Sequence, residues 1–506
     1  MPHSRLFTFL CALAIFTFLR TSILHADWPQ FRGVNAAGIA DEGSLPIEFG
    51  PDKNELWSVE VPAGHSSPVI VGIRIFLTSY SRDPNRLSVL CLDRKDGNLI
   101  WQQDLHPETL EKGHPSFNPA SSTVACDGEL VVAYFGSYGL ACFDVKGNKQ
   151  WEIRMPLTKS YAGNATSPII HKNKVILYRG NLVDHFLLAV DKRSGEELWK
   201  VPQNEPFEFE LACTAVPIVV GNKLIVHSAR SVQAFEIETG KQIWETKCAT
   251  TATSSPVLHG DQVVVAAWNK MGEPSLRPKF PSFEDLVAKH DQDSDALIAE
   301  DELPLMWIFH RPDGAEAPQN GAKVRFRSVD KDKNGMIDGS EWTKKLGELA
   351  AFRSSYKTHG ILSIPVDSHG LLTGNEVQSL ATRNIPEVPS PIANGGYLYF
   401  VKNGGVLSVL NLESGKVTSR VRTRGEGTHY ASPIIADGKL FSTSGDGTIS
   451  VLSLGGKPKV LQVNSMGERC YSTPACSDGV LYVRTHQRLY AFGLAASLPK
   501  QAHCPN

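Results

Sequence analysis

The chain has 506 residues, of which 42% are hydrophobic and 21% are charged, and its formal net charge is −2. This composition is typical of an ordinary globular protein. The near-zero charge and the lack of a basic run argue against nucleic acid as a partner. The length alone suggests several domains, although one large all-β domain can absorb most of it.

Residues 1–26 have the features of a secretory signal peptide. Arg5 supplies a positive charge, residues 6–19 are mostly apolar, and Ala26 precedes the expected cleavage point. The apolar run is shorter than the roughly 20 residues that a membrane span needs. We therefore expect cleavage, a periplasmic or extracellular location and no transmembrane span in the mature chain. An uncleaved membrane anchor is the alternative.

One pattern then repeats about eight times along the chain, most completely at residues 167–199. Each copy begins with a Ser-Pro or similar pair, and a Gly/Asn/Asp turn precedes its second β-rich run. Such runs separated by tight turns indicate short strands joined by hairpins. A repeat of about 40–50 residues with four strands predicts a propeller. The copies begin at Ser67-Pro68, Ser121-Ser122-Thr123, Ser167-Pro168, Val216-Pro217, Ser255-Pro256, Ser390-Pro391, Ser432-Pro433 and Thr473-Pro474.

The first and last parts of the repeat pattern complement each other. The last copy contains three strands only, whereas residues 54–61 look like an isolated fourth strand. We therefore expect this N-terminal strand to complete the last blade, which closes the ring and removes two open sheet edges. The tryptophans at the corners between strands are expected to pack between blades. They are Trp57, Trp101, Trp151, Trp199 and Trp244.

The corner sequence A-x-D-x-x-x-G-x-x-x-W is matched fully at residues 189–199. It resembles the tryptophan-docking motif of the PQQ-like β-propeller repeat family, which includes quinoprotein alcohol dehydrogenases and outer-membrane assembly-factor propellers. The heptapeptide at 27–33, DWPQFRG, looks like the start of many secreted members. The resemblance implies an all-β, eight-bladed propeller closed by its N-terminal strand. The expected boundaries are 1–26 for the signal peptide, 27–270 for blades 1 to 5 (first part), 275–355 for an insertion, 360–493 for the remaining blades, and 494–506 for a tail.

The insertion interrupts the fifth blade after Trp268. Its composition changes to a helical pattern that begins at Phe283, after the candidate N-cap Ser282. Two acidic loops of twelve residues follow, at 291–302 and 330–341. The second matches D-x-[DN]-x-[DN]-G-x₅-E fully, whereas the first has Ala296 in place of the glycine. The pair resembles the EF-hand family.

The spacing in these loops predicts calcium sites, because Ca²⁺ takes six to eight oxygen ligands. A merely solvated acidic loop is the alternative, and Ala296 makes weak or absent binding a stronger alternative for the first loop. Ile298 and Ile337 are expected to pair between the loops. The predicted ligands of the first loop are Asp291, Asp293, Asp295, the backbone carbonyl of Leu297, and Glu302. Those of the second are Asp330, Asp332, Asn334, the carbonyl of Met336, Asp338 and Glu341.

Polar residues just before each inner strand are expected at the mouth of the central channel. They could hold a ligand, but the favoured interpretation is that they only satisfy backbone groups and water around the pore. They are His65, Asn118, Asn164, Thr214, Thr253, His429, Arg469 and Tyr471. Among the cysteines, Cys91 and Cys142 read as buried thiols. Cys470 and Cys476 flank one inner strand and are a candidate disulfide.

Two function classes remain. The first is a non-catalytic binding or scaffold protein with a calcium-stabilised appendage and a protein or other macromolecular partner; it assigns no catalytic residue. The alternative is a PQQ-dependent alcohol dehydrogenase, which the resemblance allows. Many such enzymes use adjacent cysteines, a channel calcium site and an aspartate base; this chain has no adjacent cysteines, no cytochrome motif and no Asp among the channel candidates. PQQ is therefore not favoured as a cofactor, and a carbohydrate-active propeller stays open.

Overall fold

The computed structural model describes residues 27–40, 43–205, 212, 214–248, 250–251, 253–269, 279–310, 321–354 and 358–494. The predicted signal peptide and the tail from residue 495 onward lie outside them. No helix within these ranges has both the length and the apolar character to cross a membrane. Two short strands precede the ring, β1 (Ile39–Ala40) and β2 (Glu55–Glu60).

The ring consists of eight blades, as the sequence predicts. The first four blades contain four consecutive strands each, running outward from the channel. Blade 1 contains β3 (Val69–Val71), β4 (Arg74–Ser81), β5 (Arg86–Asp93) and β6 (Leu99–Leu105). Blade 2 contains β7 (Ala125–Cys126), β8 (Leu130–Phe135), β9 (Gly139–Asp144) and β10 (Lys149–Arg154). Blade 3 contains β11 (Ile169–His171), β12 (Lys174–Arg179), β13 (Phe186–Asp191) and β14 (Glu197–Pro202). Blade 4 contains β15 (Ile218–Val220), β16 (Lys223–His227), β17 (Ser231–Glu236) and β18 (Gln242–Lys247).

The fifth blade is split by the inserted segment. Its inner strands are β19 (Val257–His259) and β20 (Gln262–Ala267). The insertion follows, with α1 (Phe283–His290), β21 (Ile298–Ala299), β22 (Trp307–His310), β23 (Gly321–Lys323), β24 (Met336–Ile337) and α2 (Gly339–Ser354). The chain then returns through β25 (Gly360–Pro365), β26 (Gly370–Leu371) and β27 (Gln378–Ala381). Strands β25 and β27 complete blade 5, as predicted, whereas β26 adds an unpredicted fifth strand to blade 4, parallel to β18.

The last three blades return to the simple pattern. Blade 6 contains β28 (Ile392–Asn394), β29 (Tyr397–Lys402), β30 (Val406–Asn411) and β31 (Lys416–Arg422). Blade 7 contains β32 (Ile434–Ala436), β33 (Lys439–Thr443), β34 (Thr448–Ser453) and β35 (Val460–Ser465). Blade 8 contains β36 (Ala475–Ser477), β37 (Val480–Arg484) and β38 (Arg488–Gly493). Strand β1 pairs in parallel with β32, which the sequence did not predict.

The ring closes through β2, which pairs antiparallel with β38 and places Trp57 opposite Ala491. This confirms the predicted closure by the N-terminal strand. Arg94 of blade 1 strengthens the seam, since its guanidinium donates to the Tyr482 hydroxyl and to the Ser477 carbonyl of blade 8, both at 3.0 Å. The closing strand therefore leaves no unpaired outer edge on β38.

Each corner tryptophan binds the next blade, which confirms the predicted packing role. The indole N–H donates to a backbone carbonyl across the interface, and for four of the five tryptophans the ring also covers a corner glycine. The acceptors are the carbonyls of Arg94 (from Trp57), Val145 (from Trp101), Lys192 (from Trp151), Ile237 (from Trp199) and Val366 (from Trp244), at 2.9–3.2 Å. The covered glycines are Gly97, Gly147, Gly195 and Gly240.

The hydrophobic core is distributed between the blades. One cluster, for example, joins Val132 and Tyr134 of blade 2 to Leu177 and Leu188 of blade 3. The second and third strands of each blade are almost entirely buried because neighbouring blades cover both of their faces. The outermost strand of blade 6 alternates exposed and half-buried residues, as expected for a strand that faces solvent on one side.

The N-terminal residues 27–40, called here the floor segment, cross the channel and contact the inner strands of several blades. The Trp28 N–H donates to the Ile70 carbonyl of blade 1, Asn35 exchanges hydrogen bonds with the backbone of Val219 in blade 4, and β1 reaches blade 7. The fully buried Arg32 donates to the Pro391 carbonyl of blade 6 at 2.7 Å. The DWPQFRG start thus crosses the propeller axis and joins distant blades.

The inserted segment has a core of its own. Leu286 of α1, Ile298 of β21, Ile337 of β24 and Trp342 of α2 are each fully buried in one cluster. Ile298 lies opposite Ile337 in the short β21–β24 pair, as predicted. The Ser282 hydroxyl accepts a hydrogen bond from the Asp285 N–H at 3.1 Å, which confirms the predicted N-cap.

The six described cysteines are buried free thiols. This confirms the prediction for Cys91 and Cys142, whereas the predicted pairing of Cys470 with Cys476 is wrong. The Cys470 thiol instead contacts the Arg484 carbonyl at 3.2 Å, and Cys476 lies in β36 opposite Leu481. Burial raises the pKa of Cys470 to about 12, so this thiol stays protonated and unreactive at neutral pH.

The tryptophan–glycine contact can be tested with two alanine substitutions. Gly195 has φ +75° and a Cβ there would lie 2.8 Å from the Trp151 ring, whereas Gly221 has φ +61° with no atom within 4 Å. We expect Gly221→Ala to lose about 1 kcal/mol of unfolding free energy through backbone strain. Gly195→Ala should lose about 2–4 kcal/mol, since overpacking adds to the strain. Equal losses in denaturant unfolding would contradict the packing role.

Candidate functional site

A cavity of about 340 Å³ lies on the propeller axis. Because the strands of a blade are antiparallel, the start of the first strand, the end of the second and the start of the third share one edge of the ring. The cavity lies at this edge, because its lining includes Ser67 and Ser167, just before inner strands, and Asn269, just after β20. Phe31 of the floor segment also contacts the cavity. Asn269 is also the last described residue of blade 5 before the inserted segment.

A set of hydroxyl side chains, called here the hydroxyl ring, surrounds the cavity. Each member lies just before an inner strand, and its oxygen accepts the backbone N–H of the preceding blade at 2.9–3.0 Å. These bonds satisfy N–H groups that have no strand partner at the channel. The members that line the cavity are Thr123, Ser167, Ser390, Ser432 and Thr473. Ser255 makes the same 2.9 Å bond, from the Val216 N–H, but does not line the cavity.

Aromatic rings form much of the remaining wall. The Tyr471 ring is perpendicular to His65 at 5.1 Å and lies 5.3 Å from Tyr430, so these rings form one cluster. A second cluster pairs His114 with Tyr161 at 5.4 Å. Phe117 and Trp268 extend the apolar surface. The cavity therefore combines hydroxyl groups with aromatic faces.

The electrostatic character of the cavity is nearly neutral. The described lining residues include no Lys or Arg and one carboxylate, that of Glu387. Burial lowers the pKa of His65 to about 3, with smaller contributions from the charges of Arg484 and His486. His65 is thus neutral at physiological pH, and this wall offers no fixed positive charge to a ligand.

The predicted channel residues divide into two groups. His65, Thr214, Thr253 and Tyr471 line the cavity. The other four lie outside its lining, since Asn118, Asn164 and His429 are buried behind the wall and Arg469 is exposed. His429, for example, donates its backbone N–H to the Asn403 side chain at 2.7 Å.

Several lining residues were not predicted as site residues. The hydroxyl ring is visible in the sequence as the Ser or Thr residue at the start of most copies, but this position by itself indicates only the start of a strand. His114, Phe117, Tyr161 and Tyr430 lie in connections between blades. No periodic signal marks such loop residues, so only the folded chain brings them together.

The two acidic loops of the insertion each gather three carboxylates. The clusters are Asp291, Asp293 and Glu302, and Asp330, Asp332 and Glu341, with candidate ligand atoms within 4.8 Å of one another in each. The last Glu accepts the N–H of the second loop residue at 2.6 Å in both, Gln292 and Lys331 respectively. The two loops therefore fold in the same way despite their different sequences.

The remaining predicted ligands bind the loop backbone. Asp295 accepts the Leu297 N–H at 2.7 Å, and Asn334 accepts the Met336 N–H at 2.8 Å. Asp338 accepts the Glu341 N–H at 2.8 Å. These bonds hold each loop in a tight turn, with its side-chain oxygens directed inward.

The sixth loop position has the left-handed backbone that the sequence predicts. Ala296 has φ +64° and Gly335 has φ +88°, and both N–H groups donate to the first Asp of their loop.

A hydrogen bond from the Asp295 N–H lowers the pKa of Asp293, but desolvation and the charges of neighbouring carboxylates outweigh it and raise that pKa above its usual value. The neighbouring carboxylates raise this pKa because negative charges that are held close together repel one another.

Asp330 differs from the other carboxylates in its surroundings. It is 8% exposed, and its Oδ1 atom has no hydrogen-bond partner among the described residues. Its Oδ2 atom accepts the Gly335 N–H at 3.2 Å. An unpaired carboxylate oxygen at this depth is unfavourable, and a hard cation would satisfy it.

The fold and the repeat define an eight-bladed propeller, and comparisons with known proteins show which propellers the chain is similar to. A family model described as outer membrane protein assembly factor BamB matches residues 47–183 and 183–277, just under half of the chain. The outer membrane protein assembly factor BamB of Yersinia pestis is 25% identical over 224 residues, which are 42% of this chain and 51% of that protein. The chain thus matches about half the length of this curated relative.

Solved structures extend the likeness in fold to most of the ring. BamB from Moraxella catarrhalis superimposes with a TM-score of 0.51 and 11% identity, over 88% of this chain and 99% of that one. A europium-containing methanol dehydrogenase gives 0.55 and 11% identity, over 93% and 98%. Quinohemoprotein alcohol dehydrogenase from Comamonas testosteroni gives 0.54 and 13% identity, over 95% and 82%. At these identities the likeness concerns the fold alone.

A buried carboxylate lies near the same edge of the ring. Glu111, in the connection between β6 and β7, is 6% exposed and accepts a hydrogen bond from the Thr158 hydroxyl. Burial raises the pKa of Glu111 to about 8, although Thr158 and the charge of Arg179 oppose the shift. Glu111 is therefore mostly protonated in the folded protein at neutral pH.

This raised pKa predicts how stability varies with pH. A glutamate in the unfolded chain ionises near pH 4.5, whereas Glu111 in the folded chain stays protonated up to about pH 8, so stability should fall as the pH rises through this window. Glu111→Gln should remove that slope and gain on the order of 1–4 kcal/mol at pH 8. The control is Glu152→Gln, because hydrogen bonds from Lys149 and Tyr138 lower the pKa of Glu152. A stability profile unchanged by Glu111→Gln would contradict the buried acid.

Proposed function

We propose that this chain is an exported, calcium-binding propeller that acts as a non-catalytic binding or scaffold protein. The observation that carries the calcium part is the buried, unpartnered Oδ1 atom of Asp330, within a cluster completed by Asp332 and Glu341. An unpaired buried acceptor costs about 1–3 kcal/mol. A cation bound there would recover this energy and reduce the repulsion among the three carboxylates.

The ligand sets follow the predicted pattern in each loop. The oxygens proposed for the first loop are those of Asp291, Asp293, Asp295, Glu302 and the Leu297 carbonyl. Those proposed for the second loop are from Asp330, Asp332, Asn334, Asp338, Glu341 and the Met336 carbonyl. The short β21–β24 pair joins the loops, and each loop borders one of the helices. Calcium would therefore stabilise the insertion as a unit rather than act as a sensor.

The scaffold role is supported by the family likeness. The matching family model and the relative from Yersinia pestis are both described as an outer membrane protein assembly factor. We propose that a protein or another macromolecule is the partner, and that nucleic acid is not. The signal-like residues 1–26 support a periplasmic or extracellular location.

The second function class, PQQ-dependent alcohol oxidation, has weaker support. PQQ is a tricarboxylate, and a bound tricarboxylate needs cationic or strongly donating groups around it. The described lining of the cavity contains no Lys or Arg and contributes the acidic Glu387. These residues do not fit the cofactor, so no step of an oxidation is assigned to them.

Calcium binding can be measured on the whole mature chain. We expect a measurable heat of calcium binding in calorimetry. With a dissociation constant of about 10⁻⁴–10⁻³ M, the stabilisation at about 10 mM calcium should be about 1–3 kcal/mol. Glu341→Gln should weaken the second site at least tenfold. Ala296→Gly should strengthen the first by up to about fivefold, because glycine removes about 1 kcal/mol of strain.

A matched control is available on the same helix. Glu348 lies in α2 beyond the acidic cluster and pairs with Lys345 at 3.6 Å. Glu348→Gln should leave calcium binding unchanged. Equal effects of Glu341→Gln and Glu348→Gln, or an unfolding midpoint that does not respond to calcium or a chelator, would reject the site.

The two function classes can be separated by spectroscopy. Incubation of the purified chain with PQQ and calcium should produce no protein-bound quinone absorbance and no dye-linked oxidation of alcohols, because the lining residues that the structure describes offer no positive counter-charge. A quinoprotein alcohol dehydrogenase reconstituted in parallel serves as the positive control. Stoichiometric quinone binding with alcohol-dependent dye reduction would overturn the scaffold proposal.

A further inference from the structure

We infer that the central cavity is a binding site for a small uncharged sugar, such as one or two rings of a neutral saccharide. This goes beyond the proposed scaffold function, because it assigns a ligand class to a part of the propeller that the calcium loops do not touch. Three properties of the cavity lead to it: the hydroxyl ring, the aromatic wall and the absence of fixed positive charge from the described lining.

The hydroxyl ring supplies hydrogen-bond donors. Thr123, Ser167, Ser390, Ser432 and Thr473 each accept one backbone N–H from the neighbouring blade. Within the described ranges of the chain, none of these hydroxyls donates its own proton to a protein acceptor. A hydroxyl that already accepts a hydrogen bond from the protein can still donate its own proton to a ligand. Several such donors on one cavity wall suit a ligand that is rich in hydroxyl and ether oxygens.

The aromatic wall supplies the complementary apolar surface. Tyr471 and Tyr430 form one cluster and Tyr161 with His114 another, and all four side chains line the cavity. A sugar ring has a face of C–H groups and a rim of oxygens, so it can contact aromatic rings and hydroxyls at the same time. A fatty chain would leave the donors of the hydroxyl ring unsatisfied, which is unfavourable.

The charge of the lining residues and the volume of the cavity restrict the class of ligand further. An anion in the cavity would lose its hydration without meeting a Lys or Arg among the described lining residues, and His65 is neutral. The volume of about 340 Å³ lies at the small end of ligand pockets. The floor segment crosses the channel and its Phe31 lines the cavity, which limits the space that is left for a ligand.

The chain offers a matched pair of substitutions to test this site. Ser167 and Ser255 make the same inter-blade bond, each accepting a backbone N–H at 2.9 Å, and both are buried. Only Ser167 lines the cavity. Removing either hydroxyl should destabilise the ring to a similar extent, whereas only Ser167→Ala removes a donor from the ligand site.

The experiment is a titration of the whole mature chain with neutral mono- and disaccharides, followed by calorimetry and by saturation-transfer NMR. Glucuronic acid and glucosamine serve as charged probes of the same size. We expect binding of at least one neutral sugar, a weakening of about tenfold for Tyr471→Ala and of several-fold for Ser167→Ala, and no change for Ser255→Ala. Tyr471→Phe should retain most of the affinity, since the ring face remains.

Three results would overturn the inference. They are no binding of any neutral sugar in the panel at millimolar concentration, equally tight binding of the charged probes, and equal effects of Ser167→Ala and Ser255→Ala. Circular dichroism and the unfolding midpoint of each variant distinguish a lost contact from a lost fold. Removal of calcium by a chelator should leave sugar affinity unchanged, so failure here and failure of the calcium proposal are separable.

Discussion

The propeller depends on satisfying the backbone groups that face its channel. At six of the eight junctions between blades, a backbone N–H at the start of one blade donates to a Ser or Thr hydroxyl of the next blade. The bonds from Ser67 to Thr123 and from Thr123 to Ser167 are two of them. Because one side chain connects two blades, the hydrogen bond that satisfies the backbone N–H also fixes the distance between neighbouring blades. The tryptophans make an equivalent connection farther from the axis.

The same inner bonds shape the cavity. A hydroxyl that accepts an N–H can still donate its own proton. Where it also lines the cavity, as Ser167 does, one residue provides both the contact between blades and part of the polar lining. The floor segment also crosses the channel, where Phe31 lines the cavity and the buried Arg32 contacts blade 6. The cavity is thus formed by residues that are distant in sequence.

The insertion is held together by contacts of its own. The eight-residue helix α1 is too short to be stable alone. It packs with α2 around a small cluster that includes Ile298, Ile337 and Trp342. The acidic loops at its edge carry mutual repulsion and the unpaired oxygen of Asp330. A cation in each loop, as proposed above, would reduce this repulsion, and one in the second loop would also pair with the Asp330 oxygen.

The sequence by itself determined the ring, because a repeated pattern of turn pairs, strand-forming residues and corner tryptophans allows few other folds. It also determined the closing strand, because the last copy has three strands and the single strand before the first copy can pair with it to complete a four-stranded blade. The tertiary structure decided what the repeat could not show. The added strands β1 and β26, the floor formed by the residues around Arg32, and the free thiols of Cys470 and Cys476 depend on contacts between segments far apart in the chain. The cavity is of this kind too: its hydroxyls occur at regular intervals, but Tyr161 and Tyr430 come from loops whose positions only the closed ring defines.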